Sequence, residues 1–133
     1  MLRLNLIAVL CCWAFLSSAQ SAEKMVAWLN EKTDLTMINQ CNRLNFISSS
    51  TTVGADEMTF TYGGGKTLQV KWADVTGMDD VNERYKCVTI YFNPGSDDTC
   101  NRIFFVQENK EIRTQYLAYA KAVALQHKAK LKE

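Results

Sequence analysis

Two alternating segments joined by three glycines constrain the fold of this chain more than any other feature of its sequence. The alternating apolar residues are Met58, Phe60 and Tyr62 before the glycines and Leu68, Val70 and Trp72 after them. A turn at residues 63–65 pairs Tyr62 with Lys66, and the apolar side chains of the two segments then share one face. The pattern predicts an antiparallel hairpin with one buried face.

Two further strands are predicted near the C-terminal end of the chain, one at residues 88–92 and one at 102–107. The second contains Ile-Phe-Phe-Val at its centre and is apolar on both faces. Such a strand either lies at the centre of a sheet that is covered on two sides, or turns one face toward a partner.

The register between these two strands decides which side chains of the second strand point away from the apolar side chains of the first. The register that we predict places Ile90 opposite Phe104 and leaves Ile103 and Phe105 on the other face. Either the N-terminal helix covers that second face, or another molecule does. Ile103 and Phe105 are therefore our candidate interface residues.

Helical spacing marks both ends of the remaining sequence. Residues with this spacing near the start are Ala22, Met25, Val26 and Leu29, and those near the end are Ile112, Tyr116, Tyr119, Ala120, Val123 and His127. The first helix should end near Thr33 and the second should begin near Asn109. Residues 35–52 fit a helix or strands, and the tail beyond His127 is expected to fray.

The sequence therefore predicts an α+β fold. We expect an antiparallel, meandering sheet of about five strands with a long C-terminal helix packed on its core face. The short N-terminal helix should lie against an edge of the sheet or on its opposite face.

Residues 1–19 have the pattern of a cleaved export signal. Arg3 precedes an apolar run over residues 4–16, and Ser17-Ser18-Ala19 supplies small residues before a cleavage point. The run is shorter than the roughly 20 apolar residues that a membrane span requires. We predict a signal peptide over 1–19 and a single exported domain over 20–133, located in the periplasm or secreted.

The charge of the mature chain limits its kinds of binding partner, and its cysteine content limits the possible disulfides. Without Arg3 the mature chain carries 14 basic and 14 acidic residues, so we expect no nucleic-acid partner and no membrane contact. Its three cysteines allow one bridge or none. A disulfide, if one forms, should join Cys41 with Cys87 or Cys100, because the predicted register holds Cys87 and Cys100 too far apart.

No motif in the chain supplies catalytic, cofactor-binding or metal-binding chemistry. Gly63-Gly64-Gly65-Lys66-Thr67 is similar to the end of a phosphate-binding loop, but Phe60 occupies the place of its first glycine and a strand follows. His127 is the sole histidine and should be a structural or surface residue. Two acidic clusters, Asp79-Asp80 with Glu83 and Asp97-Asp98, lack calcium-loop spacing and should be solvated turns.

The order of the predicted elements along the chain resembles that of two groups of proteins. The signal, the Trp28-Leu29-Asn30-Glu31-Lys32 helix, the antiparallel strands and the final Ala/Lys-rich helix resemble small exported bacterial proteins of unknown function. The strand containing Trp72-Ala73-Asp74-Val75, with a terminal helix, is similar to the pleckstrin-homology-type sheet, which implies a scaffold used for binding. That sheet has seven strands where we expect about five.

These observations favour a non-catalytic exported binding or interaction module that meets a protein partner or a second copy through Ile103 and Phe105. The alternative is a small-ligand or lipid carrier, whose apolar pocket would be lined by Trp72, Phe60, Tyr116 and Tyr119. An enzyme of unknown type comes third, because no acid, base and nucleophile converge in the pattern.

Overall fold

A computed structural model describes residues 21–40, 46–81, 85–93 and 101–132 of the protein. The described residues form an α+β fold, as predicted, with eight strands in two antiparallel sheets. Helix α1 spans residues 21–32. The other elements are β1 (Thr36–Asn39), β2 (Phe46–Ile47), β3 (Ser50–Val53), β4 (Glu57–Tyr62), β5 (Lys66–Lys71), a 3-10 turn (Trp72–Asp74), β6 (Val75–Val81), β7 (Cys87–Phe92), β8 (Arg102–Val106) and α2 (Lys110–Gln126).

The strands form two sheets and not the single meander predicted, because the five-stranded sheet places β1 beside β8 and only the three-stranded sheet is a meander. One has the order β2-β1-β8-β7-β6, and the other has the order β3-β4-β5. The link between β2 and β3 bonds to both sheets, since the Ser48 amide donates to the Thr36 carbonyl and the Ser49 amide donates to the Thr61 carbonyl. Ring contact between Phe60 and Phe105, at 6.0 Å, shows that the inner faces of the sheets share one core.

The predicted hairpin is confirmed in its register and in its turn. Tyr62 pairs with Lys66, and Phe60 pairs with Leu68. All three glycines of the turn have positive φ, between 50° and 107°. Side chains other than glycine rarely adopt this conformation, so the glycine run itself fixes the place of the turn.

The pairing of β7 with β8 corrects our prediction by one residue. Ile90 lies opposite Ile103, and Val88 lies opposite Phe105. Ile103 and Phe105 therefore face the core, where they are 0% and 3% exposed. Of our two alternatives, cover of these side chains by another molecule is wrong, because residues directly opposite each other in a ladder point to the same side and Ile90 and Val88 face the core. Phe104 and Val106 point to the outer face instead.

Strand β8 occupies the centre of the five-stranded sheet, as its double apolar face predicted. Its inner face is covered within the chain. Phe105 contacts Phe60 of the opposite sheet and Tyr116 of α2, with ring centroids 6.0 and 5.4 Å apart. Leu29 of α1 belongs to the same core and is fully buried.

The two helices pack against different parts of the sheets. Helix α2 packs on β6, β7 and the 3-10 turn. Helix α1 lies against an edge, since the Asn30 side chain accepts a hydrogen bond from the Val53 amide of edge strand β3 at 2.8 Å. The two helices meet through Trp28, whose ring is 5.1 Å from that of Tyr119.

The C-terminal tail is ordered on the sheet edge, which contradicts the expected fraying. Helix α2 ends in a left-handed residue, Lys128, with φ of 62°. The Lys128 amide donates to the Leu125 carbonyl and the Ala129 amide donates to the Ala124 carbonyl, the bond pair of a Schellman motif. Ala129 is buried, and the Lys132 amide donates to the Thr76 carbonyl of β6 at 2.8 Å.

We expect Lys128→Gly to raise the free energy of unfolding by about 1 kcal/mol, because glycine adopts a left-handed conformation without the steric cost that other residues incur. Chemical denaturation measures the difference. Lys130→Gly is the matched control, since Lys130 lies two residues further along the same tail and does not have a positive φ. A Lys128→Gly protein no more stable than the natural chain would contradict the helix end described here.

Candidate functional site

The four aromatic residues predicted to line a carrier pocket lie in the core or at its border. Trp72, Phe60 and Tyr116 are 1%, 0% and 3% exposed, and Tyr119 is half-buried. Three of them belong to one series of ring contacts that runs from Phe60 through Phe105, Tyr116 and Trp28 to Tyr119. These side chains fill the space that a carrier would keep open.

Tyr116 is held by a polar contact inside this aromatic series. Its hydroxyl lies 2.6 Å from the Thr33 hydroxyl, which itself donates to the Leu29 carbonyl. Burial raises the pKa of Tyr116 far above its ordinary value, and the hydrogen bond with Thr33 offsets only part of that rise. The phenol stays neutral and links α2 to the end of α1.

An open pocket of about 440 Å³ lies outside the core, where the tail meets the outer face of the five-stranded sheet. We call it the Arg102 pocket. Its walls include Thr76, Gly77, Asp79, Tyr91, Arg102 and Lys132.

Three strands position the pocket by simple pairing. Gly77 of β6 lies opposite Tyr91 of β7, which lies opposite Arg102 of β8. The three residues therefore form a row across the outer face. Asp79 follows two residues after Gly77 and points to the same side, and the hydrogen bond between Lys132 and Thr76 holds the tail along the rim.

Arg102 has a hydrogen-bonding group that the described residues leave unused. Its guanidinium carbon lies 5.2 Å from the centre of the Phe104 ring. Its Nε atom is buried and has no hydrogen-bond partner in the described part of the chain. An N–H group removed from water without an acceptor is costly, and the same side chain is among the walls of the pocket, where its positive charge favours an anion.

Gly77 leaves the floor of the pocket open. A Cβ atom placed on it would lie 3.6 Å from Tyr91 Cδ2 and 3.8 Å from the Lys132 carbonyl oxygen, both ordinary contact distances. The backbone here does not have a positive φ. A larger residue would therefore fit the backbone and occupy the pocket.

Sequence reasoning missed every residue of this pocket as a site. Asp79 was assigned to a loop, whereas β6 includes both Asp79 and Asp80. A glycine inside a strand can mark a bulge or the close approach of a ligand, and a register shift does occur between Val75 and Gly77, but no strand was predicted over residues 75–81. That glycine was the available signal, but Arg102 and Lys132 are brought to it only by the fold.

Among the described residues, the other candidate groups named from the sequence include His127 and Cys87. His127 Nε2 lies 2.7 Å from the Ala55 carbonyl oxygen, which joins the end of α2 to the turn before β4. Cys87 is buried, and this burial raises the pKa of its thiol above the ordinary value, which disfavours the reactive thiolate. Cys41 and Cys100 lie outside the described residues, as do Glu83, Asp97 and Asp98.

No group of three metal-ligating side chains is found within residues 21–40, 46–81, 85–93 and 101–132. In the same ranges, neither helix is long and apolar enough to cross a membrane. Comparison of the chain with protein-family models, curated proteins and solved structures finds no match. The resemblances noted from the sequence therefore stay predictions.

Proposed function

We propose that this chain is an exported, non-catalytic binding module that holds an anionic group in the Arg102 pocket. The observation that supports this function is that Arg102, whose buried Nε–H has no acceptor among the described residues, is among the walls of an open pocket. Export rests on residues 1–19, which lie outside the described part of the chain.

The composition of the pocket favours an anion that also bears hydroxyl groups. A carboxylate or phosphate accepts a charge-assisted hydrogen bond from Arg102, and Lys132 at the rim adds a second positive charge to the walls. Asp79 stands at the same rim and accepts hydrogen bonds from hydroxyl donors. The Tyr91 ring offers a flat apolar wall between them.

Binding fits the chemistry of the pocket better than catalysis does. A catalytic site brings a nucleophile or base within hydrogen-bond reach of a partner that activates it. His127 is bonded to a backbone carbonyl, and Cys87 is a buried thiol whose pKa is raised. Neither residue is among the walls of the Arg102 pocket.

The carrier hypothesis receives no support from the aromatic core. Trp72, Phe60 and Tyr116 pack against their neighbours, and none of them lines the Arg102 pocket. A partner that docks on Ile103 and Phe105 is no longer proposed, because both side chains are buried.

We expect D-galacturonate to bind the folded protein saturably and Arg102→Gln to lower its affinity about 10-fold or more, as the loss of a charged hydrogen bond implies. Isothermal titration calorimetry measures the affinity, with acetate and inorganic phosphate as further probes. Gly77→Val should also abolish binding, by filling the pocket. Lys66→Gln is the matched control, because Lys66 is an exposed cation at the hairpin turn and is not among the walls of the pocket.

Two results would count against this function. One is the absence of saturable binding for all three anions. The other is an affinity that stays the same in Arg102→Gln and in Gly77→Val. Circular dichroism of both variants shows that any loss of binding occurs in a folded chain.

A further inference from the structure

Among the described strands, three of the four sheet edges are short or covered. Strand β2 has only two residues. The Val53 amide of β3 donates to the Asn30 side chain of α1, and the Thr76 carbonyl of β6 accepts from the Lys132 amide of the tail. Such features keep the unpaired backbone groups of an edge from binding another strand. Within the described part of the chain, no such cover lies on the fourth edge, β5.

Strand β5 is long, regular and exposed. It pairs with β4 from Lys66 to Lys71 without a bulge, and it contains no proline. The side chains of Thr67 and Gln69 are exposed. Its two lysines stand at its ends, so its middle lacks the charge that protects many natural edge strands. An edge with these properties can accept a further strand.

The hydrogen-bond pattern of the hairpin fixes which backbone groups of β5 point outward. The Trp72 amide donates to the Asp56 carbonyl, and bonded and non-bonded pairs alternate along an antiparallel ladder. Every second residue from Trp72 back to Lys66 therefore bonds to β4, and the residues between them turn their backbone groups away. Those outward residues are Thr67, Gln69 and Lys71. Lys71 offers only its N–H, because its carbonyl begins the 3-10 turn as the N-cap.

Two copies of β5 fit each other as antiparallel strands in a register centred on Gln69. Gln69 then lies opposite Gln69 of the second copy, and Thr67 lies opposite Lys71 on either side. About four backbone hydrogen bonds join the strands, two between the Gln69 residues and one from each Lys71 amide to a Thr67 carbonyl. On the inner face Leu68 lies opposite Val70, so apolar side chains meet there. The two Lys71 side chains stand about 13 Å apart along the ladder.

Neighbouring registers fit less well. A shift of the second copy by one residue sets outward backbone groups against groups that already bond to β4. A shift by two residues in one direction places Lys66 opposite Val70, which is a buried apolar side chain. A shift by two in the other direction places Leu68 opposite Trp72, which lies in the 3-10 turn and not in the strand. The edge is therefore complementary to itself in the register centred on Gln69.

We infer that two copies of this chain associate through β5 into a symmetric dimer, in which the two three-stranded sheets become one continuous sheet. A two-fold axis at Gln69 lets the same patch serve on both subunits. A foreign acidic strand fits less well, because Lys66 and Lys71 point to opposite faces of β5 and Lys71 already lies opposite Glu57 of β4. The contact is smaller than a standard interface, so we expect a weak dimer with Kd of about 100 µM.

Sedimentation equilibrium of the folded chain measures this association. We expect a monomer at about 1 µM and mostly dimer near about 1 mM. Gln69→Pro should abolish the dimer, because the Gln69 N–H bonds to the second copy and not to β4, so proline removes no bond of the hairpin. Gln69→Thr keeps this N–H and is the matched control that should still dimerise. Circular dichroism shows whether the proline variant is folded.

Two substitutions at Thr67 test the register and leave the backbone unchanged. Thr67→Lys sets a lysine opposite Lys71 twice in the dimer and should weaken association about 5-fold, whereas Thr67→Glu sets a carboxylate there and should strengthen it about 5-fold. Thr67 is exposed, so neither change should unfold the monomer. The same changes at Thr52, an exposed threonine on the edge strand β3 of the same sheet, are the matched controls and should leave the dimer as it is.

Three results would overturn the inference. A chain that stays monomeric up to about 1 mM shows that the β5 edge does not pair with itself. A dimer that persists in folded Gln69→Pro forms through another surface. Equal effects of Thr67→Lys and Thr67→Glu show that Thr67 does not meet Lys71 of the second copy. If the proline variant does not fold, the opposite effects expected at Thr67 decide the question.

Discussion

Trp72→Ala is expected to lower the free energy of unfolding by about 3–5 kcal/mol, a large part of the 5–15 kcal/mol typical of a domain. The Trp72 side chain is 1% exposed and lies in the 3-10 turn on which α2 packs. Its Nε1–H donates to the Gly54 carbonyl at 2.9 Å, and its backbone amide donates to the Asp56 carbonyl. Alanine would leave a cavity where the two sheets and α2 meet.

Two control variants divide this loss into packing and hydrogen bonding. Trp72→Phe keeps much of the buried area but leaves the Gly54 carbonyl without its donor, so we expect a loss of about 1–2 kcal/mol. Trp28→Ala removes a half-buried tryptophan and should cost less than Trp72→Ala. Urea denaturation followed by circular dichroism gives all three values. A loss below 1 kcal/mol for Trp72→Ala would show that the turn does not pack against α2.

Arg113→Met is expected to lower the free energy of unfolding by about 2–3 kcal/mol, through the loss of charged hydrogen bonds in a buried place. Arg113 is 5% exposed. Its Nη1 donates to the Gln107 and Glu108 carbonyls at 2.9 Å each, and its Nε contacts Asp80 Oδ1 at 3.3 Å. The side chain thereby joins the first turn of α2 to the end of β8 and to β6.

The two halves of this contact can be separated, because Asp80 is less buried than Arg113. The Asp80 side chain is 31% exposed, so solvent screens the ion pair, and Asp80→Asn should cost less than about 1 kcal/mol. Lys110→Met is the matched control on the exposed face of the same helix. Equal losses for Asp80→Asn and Arg113→Met would show that the ion pair, and not the two carbonyl contacts, supplies the stability.

The elements that the sequence predicted correctly are those with a strong local pattern. In the β4–β5 hairpin, polar threonines alternate with apolar residues and three glycines fix the turn, so only one register buries the apolar face. Helix α1 and helix α2 follow their 3.6-residue spacing. The double apolar face of β8 predicted its central place in the sheet.

The register of β7 and β8 could not be read from the same kind of pattern. Strand β8 is apolar on both faces, so a shift of one residue still pairs apolar with apolar side chains. Asp79 and Asp80 were assigned to a loop because aspartate is rare in strands. In the fold, the ladder with β7 and the contact of Asp80 with Arg113 outweigh that local preference.

By itself the sequence determined the fold class, the hairpin, both helices and the central strand, because each depends on the spacing of apolar residues within a few turns or strand repeats. Only the tertiary structure decided where the open surfaces lie. The Arg102 pocket joins residues 77, 91, 102 and 132, which no local period connects. Pairing of three strands and a tail held by Ala129 and Lys132 bring them together, and such long-range contacts depend on how the whole core packs.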